Sequence, residues 1–310
     1  MSQQNKIIAA FSLLLVFGFF AKLAAATPKT GVLTKPLTAD IVSSAISQNP
    51  EAASRMEIPE EDADHKAKTK SVPEDLKVEA ALVVKTKSNE KLLSYNEEKR
   101  WPLASLSKVM TAVVAIENFD PKANIEISEN AVATEGTAGG LKPGERYAVK
   151  DLISAMMVVS SNDAAVALSE SVPEGEFVRI MNEKAKSLGM DNTYFREPTG
   201  LSSLNQSTLS DMLLLVRYAW LNYPELFSVS HKSKIYITEL TAKKKQLLTN
   251  INPLVANADF VGGKTGFTED ARQNLISLFT LHNESVILMI FGAEDRLAET
   301  EKIIRFLKKK

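Results

Sequence analysis

Three short groups of residues, Ser105-Leu106-Ser107-Lys108, Ser160-Ser161-Asn162 and Lys264-Thr265-Gly266, set hydroxyl groups beside amines in an order that suits acyl transfer. A serine three residues before a lysine on a helix places both side chains on one face, so the Lys108 amine reaches the Ser105 hydroxyl. A free lysine, with a pKa of about 10.4, is protonated at neutral pH. Service as a base therefore demands burial and a second nearby cation, for which Lys264 is the natural candidate. Other chemistries find less support. The only histidines are His65, His231 and His282, none at ligand spacing, so no metal is expected. The lack of cysteine removes thiolate zinc sites, iron-sulfur clusters, disulfides and cysteine nucleophiles together. No GxSxG elbow and no glycine-rich phosphate loop follows a strand, and no cofactor is expected. A serine-histidine-acid triad through His231 or His282 stays open, though nothing marks a partner serine.

Taken singly, each group is weak, because the chain also holds Ser88-Asn89-Glu90-Lys91 and a second Lys29-Thr30-Gly31. Context separates them. Ser105 opens a helix whose apolar stripe runs through Leu106, Val109, Met110, Val113 and Val114, whereas Ser88 falls in a hairpin turn between Ala80–Val84 and Leu92–Tyr95. Further helices are predicted at Val149–Val159, Asp163–Ser171, Gly175–Leu188 and Leu209–Asn222, the last capped by Ser207 or Thr208. Apolar runs at Asn274–Leu281 and Ser285–Gly292, split by His282-Asn283-Glu284, predict an antiparallel hairpin, and Arg296–Lys308 a final helix. Two strands, a helical block, then about three strands and a helix imply that both ends of the chain share one antiparallel sheet, an α+β fold.

In these residues the sequence resembles the penicillin-recognising serine enzymes, and within them the low-molecular-mass D-alanyl-D-alanine carboxypeptidases of peptidase family S11. The resemblance spans about Val78 to Phe306. It includes Pro102-Leu-Ala-Ser-Leu-Ser-Lys-Val-Met-Thr-Ala, Gly140-Leu-Lys-Pro-Gly-Glu, Met157-Val-Val-Ser-Ser-Asn-Asp-Ala-Ala, Met181-Asn-Glu-Lys-Ala, Pro198-Thr-Gly-Leu and Gly262-Gly-Lys-Thr-Gly-Phe-Thr-Glu. It implies a β-lactamase/DD-peptidase-like fold, an antiparallel sheet flanked by helices with an all-helical lobe. It further implies that Ser105 attacks the carbonyl between two terminal D-alanines of a peptidoglycan stem peptide while Lys108 takes its proton. Ser160 would relay a proton to the leaving amine, and Asn162 would bind the peptide amide and help hold Lys108. Lys264 and Thr265 would meet the terminal carboxylate, and Gly266 would let the substrate lie along the strand. The backbone N–H groups of Ser105 and Phe267 would form the oxyanion hole, and β-lactams would act as covalent inhibitors.

Two residues depart from the family's pattern. Arg272 stands where glycine is common, and is expected to face solvent. Glu197 replaces the usual Asn before Pro-Thr-Gly, which invites comparison with the loop glutamate of class A β-lactamases. The Asn that those enzymes carry four residues on is Leu201 here, so a structural loop carboxylate is the favoured reading.

Composition bounds the rest. With 37 Lys plus Arg against 38 Asp plus Glu and a formal net charge of -1, the chain has no electrostatic footprint for nucleic acid. Lys6 precedes an uncharged, mostly apolar run from Ile7 to Ala21, then Lys22 and Ala24-Ala25-Ala26, so residues 1–26 read equally as a signal peptide or as an uncleaved anchor that contacts the membrane. Either reading exports the remainder. Residues 27–75 are expected to be a flexible linker, with a transient helix at Leu37–Ile46. No aromatic residue occurs from Ala21 to Ser94, and twelve of the 25 residues from Glu51 to Asp75 are charged. Residues 76–310 would form the catalytic domain. The expected protein is an exported DD-carboxypeptidase at the extracytoplasmic face of the cell membrane, in the periplasm or in the cell wall. A β-lactamase or DD-endopeptidase of the same fold and a catalytically silent peptidoglycan-binding module are the alternatives.

Overall fold

The computed structural model describes residues 72–136 and 139–309. The segment 1–26 and nearly all of the linker expected at 27–75, with its transient helix, lie outside them.

Strands β1 (Ala80–Lys85) and β2 (Lys91–Tyr95) form the expected opening hairpin. A two-residue strand β3 (Trp101–Pro102) leads through a 3-10 turn at Ala104–Leu106 into helix α1 (Ser107–Asn118). Strand β4 (Asn124–Glu126), helix α2 (Glu129–Ala133) and strand β5 (Arg146–Ala148) precede the helical block. That block comprises α3 (Val149–Val158), α4 (Asn162–Ser169) and α5 (Glu176–Ser187), then, after β6 (Gln206–Ser207), α6 (Leu209–Asn222) and α7 (Glu225–His231). A hairpin of β7 (Lys234–Glu239) and β8 (Lys244–Thr249) follows. The chain closes with β9 (Phe260–Thr268), β10 (Arg272–Leu281), β11 (Glu284–Ala293) and α8 (Arg296–Lys308). Helix α6 is capped by Thr208, whose hydroxyl accepts from the Asp211 N–H.

The main sheet is five-stranded in the order β2-β1-β11-β10-β9, all antiparallel, and β1 lies in register with β11 through Ala80 opposite Phe291 and Leu82 opposite Met289. The first and last strands of the described residues therefore meet in one sheet, as the element order led one to expect. Its two faces are both covered. Leu82 and Val84 share one core with α1 and α6, while Ala81 and Val83 share a second with Ile303 and Leu307 of α8. Burial on both faces explains why β1, β10 and β11 read as continuous apolar runs instead of alternating ones.

One expectation changes. Helix α1 carries no single apolar stripe: every residue from Ser107 to Ala115 is buried, because sheet and helical block enclose it on all sides. Lys108 is thereby placed in the interior, where its charge is costly.

Candidate active site

Ser105 sits in the 3-10 turn that feeds α1, so the hydroxyl and the first-turn Lys108 lie on one face, with Nζ 3.0 Å from Oγ. The turn is held from several directions. Ala104 adopts φ +49, a conformation that costs a non-glycine residue about 1–2 kcal/mol. The buried Asn274 amide compensates by donating to the carbonyls of Pro102 (2.8 Å) and Leu103 (3.1 Å), while its Oδ1 accepts from the Gly292 N–H (2.9 Å). Leu103 N–H donates to the Asn205 carbonyl at 2.8 Å. Such over-determination lets a strained backbone persist at a nucleophile.

Lys108 is fully buried. Besides Ser105 Oγ, its Nζ lies 2.6 Å from Asn162 Oδ1 and 2.6 Å from the Thr199 carbonyl oxygen. Both oxygens can only accept, so each takes one N–H. A neutral amine has two N–H bonds and one lone pair; with both N–H bonds committed, the lone pair is left facing Ser105. Burial pushes the Lys108 pKa down to about 7, against the opposing pull of Glu197 and Asp163. The expectation that a second cation is needed is thus amended, because desolvation supplies the lowering. Coupling between the two ammonium groups is visible on Lys264, which burial first, then Lys108 and Arg296, push well below the ordinary lysine value.

The second and third groups close around this pair. Ser160 takes φ +60 at the end of α3, and Ser161 Oγ caps α4 by accepting from the Ala164 N–H at 3.0 Å. That break in the helical path aims Asn162 back at Lys108, while Asn162 Nδ2 donates to the carbonyls of Glu135 (2.7 Å) and Gly136 (3.1 Å). Lys264 on β9 donates to Ser160 Oγ at 2.8 Å and to the Thr265 carbonyl at 2.6 Å. Ser160 is therefore joined to Lys264, and Asn162 to Lys108. Thr265 is buried beside Lys264, and the Phe267 side chain is 61% exposed on the edge strand. A side-chain carbon at Gly266 would lie 3.0 Å from the Leu103 carbonyl oxygen and 3.2 Å from the Ser105 nitrogen. The crowding that favours glycine there comes from the nucleophile's own turn.

Sequence reasoning missed two contributors. Arg296, the first residue of α8, sends Nη1 to the Gly266 carbonyl (2.7 Å) and the Asn274 carbonyl (3.0 Å), pinning β9 at the site. Thr199 acts through a backbone oxygen, which has no sequence signature. Glu197 is placed in the loop beneath it, accepting only from groups of that loop, and Arg272 pairs with Glu79 at 3.1 Å and is about half exposed. His231 stacks on Phe260 at the end of α7 and His282 occupies the β10–β11 turn, so neither joins this constellation. Among the described residues no group of His, Asp and Glu side chains could hold a metal ion.

A buried amine with its lone pair aimed at a serine hydroxyl can deprotonate it, and backbone N–H groups at Ser105 and on edge strand β9 can meet the charge that develops on an attacked carbonyl. Comparison with known proteins points the same way. The sequence pattern of the D-alanyl-D-alanine carboxypeptidase family, Peptidase S11, matches residues 66–295. The chain is 33% identical over 240 residues to the carboxypeptidase DacF of Bacillus subtilis, covering 73% of this chain and 61% of that protein. It is 32% identical over 247 residues to the D-alanyl-D-alanine endopeptidase of Escherichia coli, covering 76% and 79%. The crystal structure of the carboxypeptidase DacD from Francisella tularensis superposes with a TM-score of 0.68 at 27% identity, over 76% of this chain and 70% of that one. A Mycobacterium tuberculosis D-alanyl-D-alanine carboxypeptidase structure gives a TM-score of 0.70 at 24% identity, a likeness of fold.

Proposed function

The chain belongs to the D-alanyl-D-alanine carboxypeptidase family, Peptidase S11, and from that premise we propose that it is an exported serine DD-carboxypeptidase that removes the terminal D-alanine of peptidoglycan stem peptides. The observation that carries the reading is the Lys108 amine, buried, 3.0 Å from Ser105 Oγ and with its pKa lowered to about 7.

Ser105 Oγ attacks the carbonyl carbon of the D-alanyl-D-alanine bond as its proton passes to Lys108 Nζ. The oxyanion is met by the N–H groups of Ser105 and Phe267; one such donor is typically worth about 3 kcal/mol of barrier. Ser160, held by Lys264, passes a proton to the leaving amine, and D-alanine departs. Water then attacks the Ser105 ester, which releases the shortened peptide and restores the serine. Asn162 binds the peptide amide, Lys264 and Thr265 receive the terminal carboxylate, and the free edge of β9 takes the substrate as an added strand. A β-lactam enters the same first step and is held as the acyl-enzyme. The apolar run Ile7 to Ala21 supports export, with residues 1–26 acting as signal or as anchor.

A second reading, cleavage of D-alanyl cross-links, is favoured by one observation: the matches to endopeptidases of E. coli and Pseudomonas aeruginosa cover 79% and 76% of those proteins, against 61% of DacF. Mass spectrometry of digests of a stem pentapeptide and of a cross-linked dimer separates the two. D-alanine release from the pentapeptide supports the carboxypeptidase; cleavage of the dimer alone supports the endopeptidase.

A further inference from the structure

Glu197 is bound to its own loop by an unusual number of short contacts. Oε2 accepts from the Thr199 N–H and the Thr199 hydroxyl, both at 2.6 Å, and Oε1 accepts from the N–H groups of Gly200 (2.6 Å) and Ser202 (3.3 Å). Every bond its side chain makes is accepted, at both oxygens, as an ionised carboxylate can do and an amide cannot. The loop so closed turns its Thr199 carbonyl onto Lys108 Nζ at 2.6 Å. It also sets Gly200, at φ +88, so close to the nucleophile turn that a side-chain carbon there would lie 1.8 Å from the Ala104 carbonyl oxygen.

We propose that Glu197 is a positioning residue for acylation: its carboxylate pins the Pro198–Gly200 turn so that the Thr199 carbonyl stays on Lys108 and the amine's remaining lone pair faces Ser105. This rests on the serine-acylation reading above. The Thr199 carbonyl is one of two obligate acceptors on Lys108, with Asn162 Oδ1 the other. Were it to swing away, one N–H would be free to rotate toward Ser105 Oγ and the lone pair would be lost from the line of attack. The same carboxylate adds negative charge beside the amine. The charged groups acting on Lys108 are Glu197 from this loop and Asp163 from α4, which favour its protonated form, while Lys264 from β9 is itself pushed down beside Lys108. Taking away Glu197's charge therefore makes Lys108 a free base at lower pH.

The test is the rate of labelling by a fluorescent penicillin against pH in the full-length protein and in Glu197→Gln. An amide would turn a donor onto backbone donors at one of its two ends. The pH-independent plateau is expected to fall at least ~10-fold, and the acid limb to move down by about one pH unit. Glu197→Asp keeps the charge, so its limb returns toward the wild-type position while its plateau stays reduced. Should Glu197→Gln fail to fold, Thr199→Val removes one acceptor contact of Oε2 and leaves the charge in place, and a lowered plateau with an unmoved limb is expected. An unchanged plateau in the folded variant, with a label that merely persists longer, would place Glu197 in deacylation and overturn the proposal. So would a lowered plateau in Glu197→Gln with the acid limb unmoved, the signature of simple loop damage, or a wild-type plateau in Thr199→Val. Failure of the wild-type protein to label at all would instead strike the acylation reading itself.

Discussion

Replacing Lys108 by Met tests whether the interior amine is held uncharged. Because burial lowers the pKa of Lys108 from 10.5 to about 7, its neutral fraction at pH 7 is about half, against about 1 in 3000 for a free lysine. The folded protein consequently binds fewer protons at this site than the unfolded chain between about pH 7 and 10.5. Stability attributable to the site is full above the unfolded value and is lost as pH falls toward the folded one. From pH 7.5 to 9.5 the wild-type protein should gain on the order of 2–3 kcal/mol relative to Lys108→Met. The substitution also leaves Asn162 Oδ1 and the Thr199 carbonyl without a donor, a cost of about 1–3 kcal/mol each that does not vary with pH. The slope therefore isolates the charge. Urea unfolding of both proteins at several pH values reads it, the burial of Lys264, the larger cause of its own lowering, being common to both. Labelling by penicillin should drop by at least ~10²-fold, since a positioned base is worth about 10²–10⁴. Stability curves that run parallel over this pH range would refute the reasoning, because they would mean that Lys108 titrates alike in the folded and unfolded states.

Gly200→Ala is expected to destabilise by at least ~2 kcal/mol and to slow labelling, because the methyl group would collide with the Ala104 carbonyl at a positive φ; thermal melts and labelling rates check both. Arg272→Gly is expected to leave labelling within about twofold and to keep or raise the melting temperature, since Arg272 sits at φ +51 with only the exposed Glu79 pair to lose.

The sequence exposed much of this design because its signals were periodic or three apart. The i, i+3 spacing of Ser105 and Lys108 survives the change from the expected helix to a 3-10 turn followed by α1, since either geometry keeps the two side chains on one face. The closing hairpin was legible from its apolar runs, and His282 and Asn283 at φ +50 and +62 form the tight turn between them. The β7–β8 hairpin went unread. Ile235 and Ile237 alternate with Lys234 and Tyr236, but its partner strand Lys244–Thr249 places only Leu248 firmly in the core, so half of the pattern is polar. At the site, the missing parts are backbone ones. No residue type announces that Ala104 and Ser160 take positive φ, or that the Thr199 carbonyl is an acceptor of the Lys108 amine. Both follow from packing: the Asn274 amide fixes the approach to Ser105, and the Glu197 loop presses Gly200 onto Ala104. Burial of α1 on all sides, which sets the character of Lys108, likewise depends on what surrounds the helix and not on its own stripe.

Incubation of the purified protein with a fluorescent penicillin, beside Ser105→Ala, bears most directly on the nucleophile assignment. A covalent band that depends on Ser105, persists for minutes and forms faster as pH rises through about 7 is the expected result. A band that forms and clears at once would point to a β-lactamase. No band in well-folded wild-type protein, or an equal band in Ser105→Ala, would contradict the account.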